Sequence, residues 1–284
     1  MNLYVSTNEI KTYVGISGSS QDALIAMLNK QATAVVNGIL SSSDLSLHKV
    51  SNEIHNSIGR VFYLADHNVK AIDSILDDDE EYLQDEDYDF KGSTLFLEDR
   101  VGQGYRKLKI TYAAGWNAYG MATITVTDYA SIGATATITL GAIQGSDGYT
   151  LTRGTDWTAG TSNDEEATKI ATAINAKLGT KAFAIQNVVY VIEDISPQVE
   201  IRTLTTSDST RLTASASTLG SIDFPEDIRG AVMLLVSSML HQRKNPKMKS
   251  YTIGQKQVTF ATEDEFKTFK NMLAPYMRAR VLAI

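Results

Sequence analysis

The spacing of apolar residues changes character several times along the chain, and each change predicts a different kind of element. Near the start, Ser6-Thr-Asn-Glu9 has the capping-box pattern, and "EIKTYVGI" after it predicts one or two helical turns ending near Gly15. Ser19 or Ser20 can then cap "QDALIAMLNKQATAVVNGIL". In that stretch Leu24, Leu28, Gln31, Val35 and Ile39 follow one another at spacings of 4, 3, 4 and 4, one helix face with a single polar interruption. From about residue 58 the period drops to two. "RVFYLA", "VKAIDSIL", "STLFLED" and "LKITYAAG" have strand length and composition, and Gly102 and Gly104 in "VGQGYR" predict a hairpin turn.

Residues 121–222 are rich in Thr, Ala, Ser and Gly, and charges thin out. "ATITVTDY" and "ATATITLG" read as two similar strands, and "DGYTLTRGTDW" as a further strand pair. Ser162-Asn-Asp-Glu165 is a second capping box, opening a helix with Ala167, Ile170, Ala171, Ile174 and Leu178 on one face. "KAFAIQN", "VVYVIED", "VEIRTLTT" and "TRLTASAS" follow as strands, an order that suits a small α+β unit with its own core. The last portion returns to helix. Pro225-Glu-Asp opens one with Ile228, Val232, Leu235 and Met239 inward, and "YTIGQKQVTFA" predicts a hairpin turning near Gly254-Gln255. Thr262-Glu-Asp-Glu265 caps a final helix carrying Phe266, Phe269, Met272 and Leu273, bent or ended by Pro275.

Composition narrows the function classes. The chain has 284 residues, 43% of them hydrophobic and 21% charged, as in ordinary globular proteins, and its length suggests more than one domain. The absence of cysteine removes disulfides, thiolate metal sites and cysteine nucleophiles. The opening "MNLYVSTNEIK" lacks the basic and apolar regions of a secretion signal, and no apolar run of the roughly 18 residues that span a bilayer is evident, so cytoplasmic synthesis is expected. The net charge of −7 is uneven. Residues 1–120 hold 10 Lys/Arg against 17 Asp/Glu, residues 121–222 hold 6 against 10, and residues 223–284 hold 10 against 6. A mainly acidic chain is a poor general binder of nucleic acid, but its basic end can dock on an acidic partner.

No catalytic pattern stands out. His48, His55, His67 and His241 have no metal-ligand spacing; His48 and His55 are seven apart, where a surface or partly packed role outweighs metal binding. The acidic run Asp77–Asp89 lacks the Gly and terminal Glu of a calcium loop and is expected to be solvated. There is no P-loop, no nucleophile elbow and no complete dinucleotide fingerprint, since Gly102-Gln-Gly104 supplies only its first half. The expectation is a protein without enzymatic activity or cofactor. The basic stretch Arg243, Lys244, Lys247, Lys249 and Lys256 fits either an exposed polar loop or contact with a partner protein.

With residues 121–222 set aside, the chain reads helix, longer helix, strands ending in "LKITYAAGW", then "FPEDIRGAVMLLVSSML", a hairpin and a closing helix ending in "YMRAR". This order resembles the head–tail connector (adaptor) proteins of long-tailed bacteriophages. In that family a strand ending in T-Y-x-A-G-[YW] is followed almost at once by a P-x-D-[IL] helix. Here Thr111-Tyr-Ala-Ala-Gly-Trp116 and Pro225-Glu-Asp-Ile228 match the halves, and "STNEIKTYVGISGSSQDALIAML" is similar to the family's start. The stretch 121–222 departs from the pattern. It looks like a small module of phage virion proteins, with Ala167–Ala176 approximating that module's T-A-x-x-[IL]-A-x-A-I-N-A-type helix.

The resemblance implies an α+β fold, a mainly helical connector core with a small β-sheet and hairpins, interrupted by an inserted β-rich α+β domain. The expected division is 1–120 and 223–284 for the core and 121–222 for the insertion, with Gly120 and Ile222 close in space. It also implies a homo-oligomeric ring, usually of twelve subunits, in the virion neck. Such a ring sits beneath the portal protein and joins a tail-side neck protein (a stopper or tail terminator), while DNA passes through without specific binding and no membrane is involved. Assembly would occur in the host cytoplasm. Candidate partner-facing residues are Arg243, Lys244, Lys247, Lys249, Tyr251, Ile253, Lys256, Tyr276, Arg278 and Arg280. The alternative is another virion protein whose insertion binds a host glycan, a fibre or a capsid protein. Tyr149, Trp157 and Tyr190 would then be stacking residues, unless they are core aromatics.

Overall fold

The structure is a computed structural model. It describes residues 3–40, 45–56, 59–66, 68–77, 80–82, 87–101, 107–117, 120–143, 146–177, 179–193, 202–219, 224–242, 249–253, 256–260 and 262–277. In chain order, helices α1 (Thr7–Val14) and α2 (Asp22–Leu40) come first. Strands β1 (His48–Asn56), β2 (Gly59–Tyr63), β3 (Val69–Asp77) and β4 (Glu80–Glu81) follow, then β5 (Tyr88–Lys91), β6 (Thr94–Val101) and β7 (Lys107–Ala114). Next are β8 (Met121–Val126), β9 (Thr137–Leu140), β10 (Tyr149–Thr152) and α3 (Asn163–Asn175). β11 (Thr180–Ile185), β12 (Val188–Glu193), β13 (Leu204–Thr206) and β14 (Leu212–Ala214) lead to α4 (Glu226–Gln242). The hairpin β15 (Lys249–Ile253) and β16 (Lys256–Phe260) precedes α5 (Glu263–Leu273).

The chain packs as two units, residues 1–45 with 223–284 and residues 46–222. Helix makes up 33% of the structure and strand 39%, and among the described residues the paired strands run antiparallel in five small sheets. This overturns the expectation of a mainly helical core. Outside 121–222 the strands β1–β7 form two sheets, in the orders β1-β7-β3-β4 and β2-β6-β5, which bury Phe62, Leu64, Leu95, Ile72, Ile110 and Tyr112 in a common core. The physical reason is the period-two patterning of residues 59–114, which can bury one face only by sheet-on-sheet packing. The helices of this part are confined to the chain ends.

The two segments of the first unit are joined where the second begins. Phe224 stacks on Tyr4 with ring centroids 4.4 Å apart, and Arg229 near the start of α4 pairs with Glu9 of α1. The capping box at Ser6 forms as expected, the Glu9 amide donating to Ser6 Oγ at 3.1 Å and the Ser6 amide to the Glu9 carboxylate at 2.8 Å. The buried side of α2, however, lies one position round from the anticipated stripe. Ile25, Leu28, Ala32, Val36 and Leu40 are inward with Asn29, Thr33 and Asn37, whereas Gln31 is exposed. Asn29 donates to the Val5 carbonyl at 2.7 Å and Asn37 accepts from the Tyr4 hydroxyl at 2.6 Å. The amides are inside because the buried N-terminal segment needs partners for its polar groups. By length and composition α2 is apolar enough to cross a bilayer, but half of its apolar window is buried inside the protein.

The second unit holds the "ITYAAGW" strand at its centre. β7 lies between β1 and β3, and Ile110, Tyr112, Ala113 and Ala114 are fully buried. It stops at Gly115 with φ of 104°, a conformation that favours glycine. Asn68 fixes the stop: its carbonyl accepts from the Gly115 amide at 3.2 Å, and its side chain donates to the Gly115 carbonyl at 2.9 Å. β1 went unanticipated, because "HKVSNEIHN" is too polar to show the period. The hairpin expected at Gly102 and Gly104 joins strands that pair in different sheets, β6 with β2 and β5, β7 with β1 and β3; those glycines lie outside the described residues. Of the acidic run, Asp77 is buried at the end of β3 rather than solvated.

Residues 121–219 carry a separate core. Sheet β11-β12-β8-β14, sheet β10-β9-β13 and helix α3 enclose Ile124, Ile138, Leu151, Ile170, Ile174 and Val191. The two "ATIT" segments sit in different sheets, with Ala122, Ile124, Ala136 and Ile138 entering the same core. "DGYTLTRGTDW" contributes one strand, β10, followed by a turn that Asp156 closes by accepting from the Thr152 amide at 2.8 Å. Ser162 caps α3, but Glu165 turns back to Thr161 instead of to Ser162, so the reciprocal half of that box is missing.

Candidate partner-binding surfaces

The C-terminal hairpin separates display from packing. Pairing sets Tyr251 opposite Val258 and Ile253 opposite Lys256. Alternation then sends Ile253, Val258 and Phe260 inward, and Tyr251 stacks on Phe266 of α5 at 4.3 Å. Tyr251 therefore holds the hairpin on α5, and Ile253 is buried. Lys249 and Lys256 remain exposed. The stem of Lys256 crosses α2 at Gly38, where an added Cβ would lie 2.4 Å from the lysine Cε. Tyr276 is half-buried beyond α5, and burial, followed by the nearby Asp227, pushes its hydroxyl above the usual tyrosine pKa. Arg243, Lys244, Lys247, Arg278 and Arg280 lie outside the described residues.

In the 121–219 body Trp157 faces inward, Tyr149 packs half-buried against the core, and Tyr190 stands on the face of β12 opposite the buried Val189 and Val191. Trp157 is 4% exposed, and its Nε1 donates to Glu166 at 2.9 Å. Glu166 is fully buried, 2.9 Å from the Arg153 guanidinium, and accepts the Gly160 amide. Tyr149 packs on the core and hydrogen-bonds Thr180; Tyr190 stacks on Phe183 at 5.0 Å. Burial raises both tyrosine hydroxyls above their ordinary value. Trp157 therefore has no open ring face for stacking on a sugar, while Tyr149 and Tyr190 are half-buried.

A polar cluster surrounds Tyr112. Its hydroxyl makes a short hydrogen bond to Glu53, which also takes His55 Nε2 at 2.7 Å and the Ala65 amide at 2.8 Å. Burial raises the Tyr112 hydroxyl and Glu53 raises it further. On Glu53 burial acts upward too, but the hydrogen bonds from His55, Tyr112 and Ala65 outweigh it and hold the carboxyl below its ordinary 4.5. The cluster pins Ala65 and Asp66 to the sheet, the Asp66 amide donating to the Tyr112 hydroxyl at 3.3 Å. Among the described residues no group of three or more His, Cys, Asp or Glu is placed to hold a metal ion.

No protein-family model matches the chain, and no curated protein matches it. The functional reading therefore rests on the residues and their placement.

Sequence reasoning missed the surface that stands out most. On the sheet β2-β6-β5, Val61, Tyr63 and Phe96 are 46%, 71% and 41% exposed. The signal was present in "RVFYLA" and "STLFLED": consecutive apolar residues in a period-two strand must put some of them on the outer face.

Proposed function

We propose that this protein is a structural adaptor of the neck of a tailed bacteriophage. It forms a ring beneath the portal, extends the DNA channel and offers an attachment surface to the next tail-side protein. The observation that carries this reading is the discontinuous first unit. Residues 3–45 and 224–277 fold together through Tyr4–Phe224, Glu9–Arg229 and the packing of α4 against α1 and α2, although 46–222 intervene. The elements therefore occur in the order of the connector pattern, helix, longer helix, sheet ending in Thr111–Trp116, PEDI helix, hairpin and helix. A ring-former requires complementary surfaces and no catalytic cleft, and an acidic chain does not grip the phosphates of passing DNA. Lys249 of the hairpin is a described, exposed member of the surface offered to the portal.

The test is electron microscopy of the purified protein, alone and mixed with a portal ring. Annular particles with a central hole, or an added layer on the portal, are expected. A chain that stays monomeric in sedimentation under both conditions overturns the reading.

A further inference from the structure

The outer face of the sheet β2-β6-β5 is apolar at its centre and mainly acidic at its margin. Val61 and Asp89 flank Phe96 as its cross-strand partners on either side, and Tyr63 stands in the next row, opposite Thr94 and, beyond it, Lys91. Asp89 and Glu98 also line a depression of about 390 Å³ beside Phe96. Three large apolar side chains on one small sheet form the kind of contiguous patch that marks a binding surface.

A matching surface exists on the other unit. The exposed face of α2 runs Met27, Lys30, Gln31, Ala34 and Gly38, at helical spacing. Ala34 and Gly38 keep its relief low, Met27 is a flexible apolar knob 44% exposed, and Lys256 crosses at Gly38. The units are also opposite in charge. Residues 46–222 carry 14 Lys/Arg against 24 Asp/Glu, a net −10, whereas 1–45 with 223–284 carry 12 against 9, a net +3.

We infer that the Val61–Tyr63–Phe96 face receives the α2 stripe of a second copy of this chain. Met27 enters the depression beside Phe96, and Lys30 and Lys256 approach Asp89 and Glu98. Because the two surfaces differ, the contact is head-to-tail. It propagates from copy to copy and closes into a ring when the rotation permits. This deepens the ring reading above by naming the two surfaces that meet.

The chain has no cysteine, so the geometry can be read by cross-linking. A Phe96→Cys protein and a Met27→Cys protein, both changed at exposed positions, are mixed under mild oxidation. A disulfide-linked heterodimer is expected in the mixture and little dimer in either protein alone. In a second arm, Asp89→Lys with Glu98→Lys weakens self-association by about tenfold or more at low salt, and adding Lys30→Glu with Lys256→Glu restores it. Rings that form without the heterodimer overturn the inference and leave the adaptor reading standing. Cross-linked open chains that never close, even with a portal ring, do the reverse. Predominant Phe96→Cys homodimers, or a protein monomeric at the highest attainable concentration, also overturn the inference.

Discussion

Gly120 lies against Leu219: a Cβ added to the glycine would sit 2.2 Å from the Leu219 carbonyl oxygen. The Gly120 carbonyl also accepts the Glu193 amide at 2.9 Å. Ile222, expected beside Gly120, lies outside the described residues, but the segment between Gly120 and Leu219 leaves and returns at neighbouring points, the arrangement in which an inserted body is tolerated. Gly120→Ala forces backbone apart and is expected to cost ~1–3 kcal/mol. Equilibrium urea unfolding measures it, and an unchanged midpoint would contradict this close approach.

The fragment 120–219 should fold alone, because Ile124, Ile138, Ile170 and Val191 belong to a core built entirely within it. Dispersed amide signals in its NMR spectrum are the expected outcome. A collapsed spectrum would show that residues outside the fragment are needed.

Lys49 and Asp73 join this body to the sheet β1-β7-β3. Lys49 Nζ contacts Asp73 and the Ala184 carbonyl, each at 2.8 Å, and Asp73 accepts the Gln186 amide at 2.6 Å. Asp73→Ala is expected to speed hydrogen exchange at Gln186 while the core amides of β12 stay protected. Uniform acceleration of both would argue against a local latch.

Acid stability should depend on Glu53. Its carboxyl is held below 4.5 in the folded protein, so its stabilisation is complete above about pH 4.5 and is lost as pH falls through the lower folded value. Glu53→Gln should flatten this part of the acid limb in a pH series of thermal unfolding. Tyr112→Phe, which removes the shared hydrogen bond, is expected to cost ~1–2 kcal/mol at neutral pH.

Glu166→Ala should be among the most damaging single changes. It leaves the Arg153 guanidinium, only 8% exposed, without its counter-charge and removes the partner of Trp157 Nε1. A loss of ~3–5 kcal/mol is expected, with a changed Trp157 emission in the native state as the local readout. Stability within a few tenths of wild type would refute the charge-compensation account.

Local signals were legible where they are strong. Capping residues at Ser6, Ser162 and Thr262, the period-two runs of β3, β7, β8 and β12, and the helix opened by Pro225 followed from neighbouring residues alone, because caps and alternation are short-range physics. Strand β1 was not legible. His48–Asn56 is polar, and it becomes a strand because β7, buried from Ile110 to Ala114, needs a hydrogen-bonding neighbour on its open edge.

The same division applies to the surfaces. The sequence by itself determined that the chain has no cysteine chemistry, that its end is basic while the rest is acidic, and that Thr111–Trp116 and Pro225–Ile228 are separated by a block of different composition. Only the tertiary structure decided that Asn29 and Asn37 face inward, that Tyr251 and Trp157 are packing residues, and that Val61, Tyr63 and Phe96 share an outer face. The reason is that burial belongs to a side chain and its distant neighbours together. A polar residue goes inside when a remote backbone group needs its hydrogen bond, and an apolar one stays outside when its strand has already spent the other face on the core.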